Sequence, residues 1–116
     1  MTWEAVADVD QLEEGEPLRV ELGGVPVCVV LLGDDEAVAV HDTCSHQQQS
    51  LAEGMVTEDD TIICPAHSST FDLRTGASVG VPEVPTIPVF ACRISDGAVH
   101  VDVADQRNDA ADPTQR

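Results

Sequence analysis

The chain has 116 residues and a formal net charge of −17, with 22 Asp+Glu against five arginines and no lysine. That length supports a single domain burying about 65% of the unfolded chain's surface, so one modest core and no second catalytic domain are expected. The acidity excludes binding to nucleic acid or anionic membranes through a basic patch. Only Trp3, Phe71 and Phe90 are aromatic, so the core must be built from Val, Ile, Leu and Ala. In chain order, Val6 lies in a first short β segment, Val9 to Glu13 is the best place for a helical turn, and Leu12–Gly15 turns. Pro17–Leu22 alternates apolar and polar as a half-buried strand does. Gly23-Gly24 is a hairpin signal, and Val25–Leu32 returns as a mostly buried strand. After a turn at Gly33-Asp34-Asp35, Ala37–His41 is a strand. Thr61–Ile63 and Phe71–Arg74 flank a loop, and Thr75-Gly76 turns. Ile87–Ile94, Asp96-Gly97 and Val99–Val103 form a closing hairpin. No window sustains a helical apolar period.

The expected fold is therefore all-β: an antiparallel sandwich or barrel carrying a small subdomain of two loops. Residues 1–104 form the domain. The polar, aperiodic stretch 105–116 reads as a flexible acidic tail. Met1-Thr2-Trp3-Glu4 has neither a basic nor an apolar stretch, so no signal peptide is expected. The longest apolar run, Val25–Leu32, falls far short of the ~20 residues of a membrane span. A soluble, cytoplasmic protein is the expectation.

Two clusters carry the chemistry: Cys44-Ser45-His46 and Cys64-Pro65-Ala66-His67. Each places one thiolate and one imidazole on a tight loop, giving C-x-H…C-x-x-H. Mixed ligands of this kind suit zinc, or an iron–sulfur cluster in which two histidines replace two cysteines. Zinc fingers pair Cys with Cys and His with His around one ion. Here each half supplies one of each, which suits two metal atoms, both thiolates on one and both imidazoles on the other. Cys28 and Cys92 lie in apolar strand-like runs and read as buried, inert thiols. His41 and His100 read as ordinary strand residues.

The surrounding runs resemble the two cluster-binding loops of soluble Rieske [2Fe–2S] ferredoxins. They are Asp42-Thr43-Cys44-Ser45-His46, Leu51-Ala52-Glu53-Gly54 and Cys64-Pro65-Ala66-His67-Ser68-Ser69-Thr70-Phe71-Asp72-Leu73-Arg74-Thr75-Gly76. Gly80-Val81-Pro82 resembles the family's proline loop over the cluster. The resemblance implies Cys44 and Cys64 on one iron, and His46 and His67 on the other, nearer solvent. It further implies a one-electron carrier, not an enzyme, that takes electrons from a flavin-dependent reductase and passes them to a terminal non-haem iron oxygenase. The chain cannot be the oxygenase itself, because after His67 only His100 remains to ligate a mononuclear iron. The alternatives are a role in iron–sulfur cluster assembly or another redox complex, and a Cys₂His₂ zinc domain.

Departures from the family pattern bear on the potential. Respiratory members carry an extra Cys in each loop, forming a disulfide. Gln49 and Ala66 stand at those positions here. Ser69 matches a Ser whose hydroxyl bonds a cluster sulfur, whereas Phe71 replaces the Tyr that supplies a second hydroxyl, and Ser68 replaces a Gly. Each donor aimed at a sulfur stabilises the reduced, more negative cluster. With one donor fewer, the midpoint is expected in the lower part of the range of about −150 to +300 mV. The net charge suits either plain solubility or steering toward partners with basic docking faces.

Overall fold

A computed structural model of the chain describes residues 3–33, 36–44, 49–65, 69–79 and 85–110. Strands β1 (Glu4–Asp8), β2 (Leu18–Leu22), β3 (Val25–Gly33) and β4 (Glu36–His41) belong to the first half of the chain. The middle holds four short strands, β5 (Met55–Val56), β6 (Thr61–Ile63), β7 (Thr70–Asp72) and β8 (Ser78–Val79). Strands β9 (Val89–Ser95) and β10 (Ala98–Gln106) close the fold. The long strands form one antiparallel sheet in the order β1-β10-β9-β4-β3-β2, and the short ones a second sheet in the order β5-β6-β7-β8. Helical structure among the described residues is limited to 3₁₀ turns at Val9–Gln11 and Leu51–Glu53. The first of these falls within the expected helical segment.

The unbroken apolar run of β3 follows from its place between two cores. Side chains of successive strand residues point to opposite faces. Val27, Val29 and Leu31 join Ala37, Ala39, Phe90, Val99 and Val101 in a core on one face of the large sheet. Cys28 and Val30 join Val40 on the other face, where they meet Cys44, Leu51, Ile62, Cys64, Phe71, Leu73 and Ile87. The small sheet with its loops is thus a lobe packed on β3 and β4. That is why the apolar residues of both strands are covered on each face.

Two features depart from the expectations. Leu73 and Arg74 do not extend β7 but turn, with the buried Leu73 donating its N–H to Asp60 O at 3.0 Å. Arg74 reaches Glu36 through Nη2 at 2.7 Å and Asp60 through Nη1 at 2.6 Å, joining the start of β4 to the lobe. Strand β10 also runs past the expected limit at 104, to Gln106. Beyond it, the Asn108 side chain donates to Thr75 O (3.0 Å) and Ile87 O (2.9 Å) and accepts from Val89 N (3.2 Å) and Gln106 Nε2 (3.1 Å). The segment around Asn108 is thus held against the turn at Thr75 and the entry to β9 by the full hydrogen-bonding capacity of one amide; residues 111–116 lie outside the described ones. The expected turn at 33–35 and the run Gly80-Val81-Pro82 also fall wholly or partly outside them.

Candidate metal centre

Each loop is built as a closed tip. After β4, Thr43 bridges Ser50, and Cys44 N–H donates to Gln49 O at 2.9 Å. Between β6 and β7, which pair Ile63 with Thr70, Cys64 N–H donates to Ser69 O at 2.9 Å. In both loops a cysteine amide bonds a carbonyl five residues on, so Cys44 and Cys64 occupy the same place in two similarly closed tips. Both are fully buried in one apolar cluster that also contains the fully buried Leu51, at the return of the first loop. The remaining residues of the expected ligand set, His46 and His67, lie outside the described residues.

The two loops approach each other through Gly54. A Cβ at Gly54 would lie 2.0 Å from Ile63 O, one residue before Cys64, and 3.1 Å from Leu51 O. Only a residue without a side chain lets the return of the first loop run against the entry to the second.

The remaining cysteines and histidines are placed differently. No disulfide joins any of the four cysteines. Cys28 shares the buried cluster with Cys44 and Cys64, and its thiol is pushed above the usual thiol range, first by burial and then by the negative charge of Asp42. Burial pushes the Cys92 thiol up to about 12. Since the thiolate is the reactive form, both stay inert at neutral pH. His100 lies in β10 opposite Arg93, as expected of a strand residue. His41 does more than expected: its buried ring accepts Thr43 N–H on Nδ1 at 3.1 Å, at the entry to the first loop.

The chemistry of the donor set fits an iron–sulfur cluster. Two buried cysteines at the bases of adjoining loops supply thiolates, and the buried Ser69 Oγ has no hydrogen-bond partner among the described residues. A buried hydroxyl is rarely left so, and a sulfide acceptor would satisfy it. The depression beside Cys64, lined by Glu53, Gly54, Met55, Ile63 and Pro65, has a volume of about 180 Å³. That is below the ~300 Å³ at which substrate pockets begin.

Comparison with known proteins decides the family. The Rieske [2Fe–2S] domain model matches residues 2–91. The chain belongs to the Rieske [2Fe–2S] family. The anthranilate 1,2-dioxygenase ferredoxin subunit of Burkholderia cepacia is 40% identical over 101 residues, covering 87% of this chain and 92% of the relative. Among solved structures, the ferredoxin of carbazole 1,9a-dioxygenase from Nocardioides aromaticivorans superposes with a TM-score of 0.82 at 33% identity, covering 87% of this chain and 97% of that one. A chain in the complex of reduced oxygenase and oxidised ferredoxin of carbazole 1,9a-dioxygenase gives 0.81 at 30% identity, covering 92% and 97%. This Rieske protein is thus a ferredoxin carrying a Rieske-type [2Fe–2S] cluster, an electron-transfer component and not itself a catalyst. The expected all-β fold with its two-loop lobe agrees with these ferredoxin structures.

Proposed function

We propose that Cys44 and Cys64 hold one iron of the cluster and His46 and His67 the other, and that the ferredoxin takes electrons from a flavin-dependent reductase and delivers them to a terminal non-haem iron oxygenase. The observation that supports the ligand set most is the matched burial of Cys44 and Cys64 in equivalent loop tips within one apolar cluster. When bound, the cluster supplies reversible one-electron transfer. The chain's residues hold the thiolates in a dry, braced setting, so that little need reorganise as charge changes. The oxygenase partner is supported by relatives named as ferredoxin subunits of dioxygenases and by the structure pairing such a ferredoxin with its oxygenase. Among the described residues no helix is long and apolar enough to cross a membrane. A cytoplasmic carrier that binds neither membrane nor nucleic acid accords with the net charge of −17.

The reading is tested by mixing the reduced ferredoxin with an oxygenase and following its reoxidation in stopped flow. Its competitor, a single structural zinc, predicts colourless protein without acid-labile sulfide. If the acidic surface steers encounter, the second-order rate should fall steeply as salt shortens the screening length from ~30 to ~8 Å. A flat salt profile would leave solubility as the role of the charge.

Ser69 gives a second measurable quantity. Its hydroxyl should stabilise the reduced cluster, and a hydrogen bond contributing about 1–1.5 kcal/mol corresponds to about 40–65 mV for one electron. Ser69→Ala should lower the midpoint by that amount in a redox titration, whereas an unchanged midpoint would show that the hydroxyl points elsewhere.

A further inference from the structure

The two loops are held by different means. The second springs directly from paired strands, with Ile63 and Thr70 in register on either side. The first does not spring from two paired strands. It leaves β4 at His41 and returns into the 3₁₀ turn Leu51–Glu53, and among the described residues its feet are joined by the isolated Thr43–Ser50 bridge and single backbone bonds.

Asp42 fills that gap. Its side chain is 2% exposed. Oδ1 accepts Ala52 N–H at 2.8 Å, while Oδ2 accepts Ser50 Oγ–H at 2.5 Å and Arg19 Nε–H at 3.1 Å. Its backbone adds two bonds, Asp42 N–H to Pro26 O at 3.0 Å and Leu51 N–H to Asp42 O at 2.6 Å. One residue thereby ties the departing foot of the loop to its returning foot, and both to β2 and β3. Arg19, half exposed on β2, divides its guanidinium between Asp42 and Glu21. A buried carboxylate is costly unless fully hydrogen-bonded, and an apolar residue often serves stability as well. What an apolar residue cannot do is hold Ser50, Ala52 and Arg19 in fixed directions at once.

We propose that Asp42 is a positioning residue for the cluster. It sets the separation of the two feet of the first loop and so the placement of Cys44, giving this chain a brace that the absence of cysteines at 49 and 66 denies it in covalent form. The proposal rests on the assignment of Cys44 and His46 as ligands.

The test uses the loaded protein and three substitutions, Asp42→Ala, Asp42→Asn and Ser50→Ala, with Arg93→Ala as a control that removes a charge facing Trp3 on β9. The readouts are the rate at which a ferrous chelator bleaches the cluster, the line width of the paramagnetic signal after reduction, and global unfolding by circular dichroism. Asp42→Ala should bleach at least about tenfold faster and broaden the signal. Asp42→Asn, which keeps an acceptor for Ala52 N–H, should recover part of the loss, and Ser50→Ala should bleach a few-fold faster. Bleaching and line width indistinguishable from the Arg93→Ala control would overturn the brace, as would acceleration no greater than the change in global unfolding. Should Asp42→Ala not fold, Ser50→Ala and Asp42→Asn decide the matter on the same readouts. Failure of the ligand assignment looks different: Cys44→Ser would then retain a full cluster, whatever Asp42 does.

Discussion

Gly76→Ala should destabilise the domain by about 3–5 kcal/mol, lowering the thermal midpoint by more than ~10 °C. Two causes add. Gly76 has φ +76°, which an alanine adopts only with strain, and an added Cβ would lie 2.2 Å from Ile87 O and 3.0 Å from Asn108 Nδ2. The carbonyl cannot retreat easily, because Ile87 O already accepts from Asn108 while Ile87 N–H bonds Gly76 O at 2.9 Å. Gly15→Ala separates the two causes. Its φ is +80°, yet nothing lies within 4 Å of an added Cβ, so it should lose only the backbone part, about 1 kcal/mol. Thermal unfolding of both variants checks the difference, and equal losses would show that the lobe and β9 are not locked together at Gly76.

Cys44→Ser and Cys64→Ser should each abolish the red-brown colour and bring iron and acid-labile sulfide per chain close to zero, while the circular dichroism of the strands persists. Cys28→Ala and Cys92→Ala should keep the cluster. The contrast is demanding because Cys28 lies in the same buried group as Cys44 and Cys64, so burial alone does not select the ligands. What distinguishes Cys28 is its place in mid-strand, paired with Arg19 on one side and Val40 on the other. A backbone in that ladder cannot move to meet a metal, whereas Cys44 and Cys64 open loops. Retention of iron in either loop variant, or its loss in Cys28→Ala beyond what a small cavity explains, would contradict the assignment.

Much of the architecture could be read from local pattern. Gly23-Gly24 and Asp96-Gly97 mark hairpins that form as expected, and the solid apolar run Val25–Leu32 is the mostly buried strand it suggests. The pairing of Cys44 and Cys64 at matching positions of two loops was legible because spacing is a property of the chain. Other features were not. Two-residue strands such as β5 and β8 carry no period to detect. Leu73 looks like a strand residue because it is apolar, yet it is buried by a turn. Asn108 sits in a run of polar residues, and nothing local reveals an amide whose partners lie 33 and 21 residues away. Asp42 is adjacent to a recognisable motif, but its role depends on Arg19 of another strand, which no spacing rule connects to it.

The dependence on Asn108 orders events during synthesis. A ribosome releases the chain from its beginning, so Thr75 and Ile87 emerge well before the amide that joins them. Until residue 108 clears the exit tunnel, the turn at Gly76 and the entry to β9 lack their common tie. Strand β10, which also supplies the partner of β1, has not yet arrived. Nascent chains should therefore pass through a stage with both thiol loops made but the lobe not yet fastened, and loading with metal before that point would meet a softer receptacle than the finished protein offers.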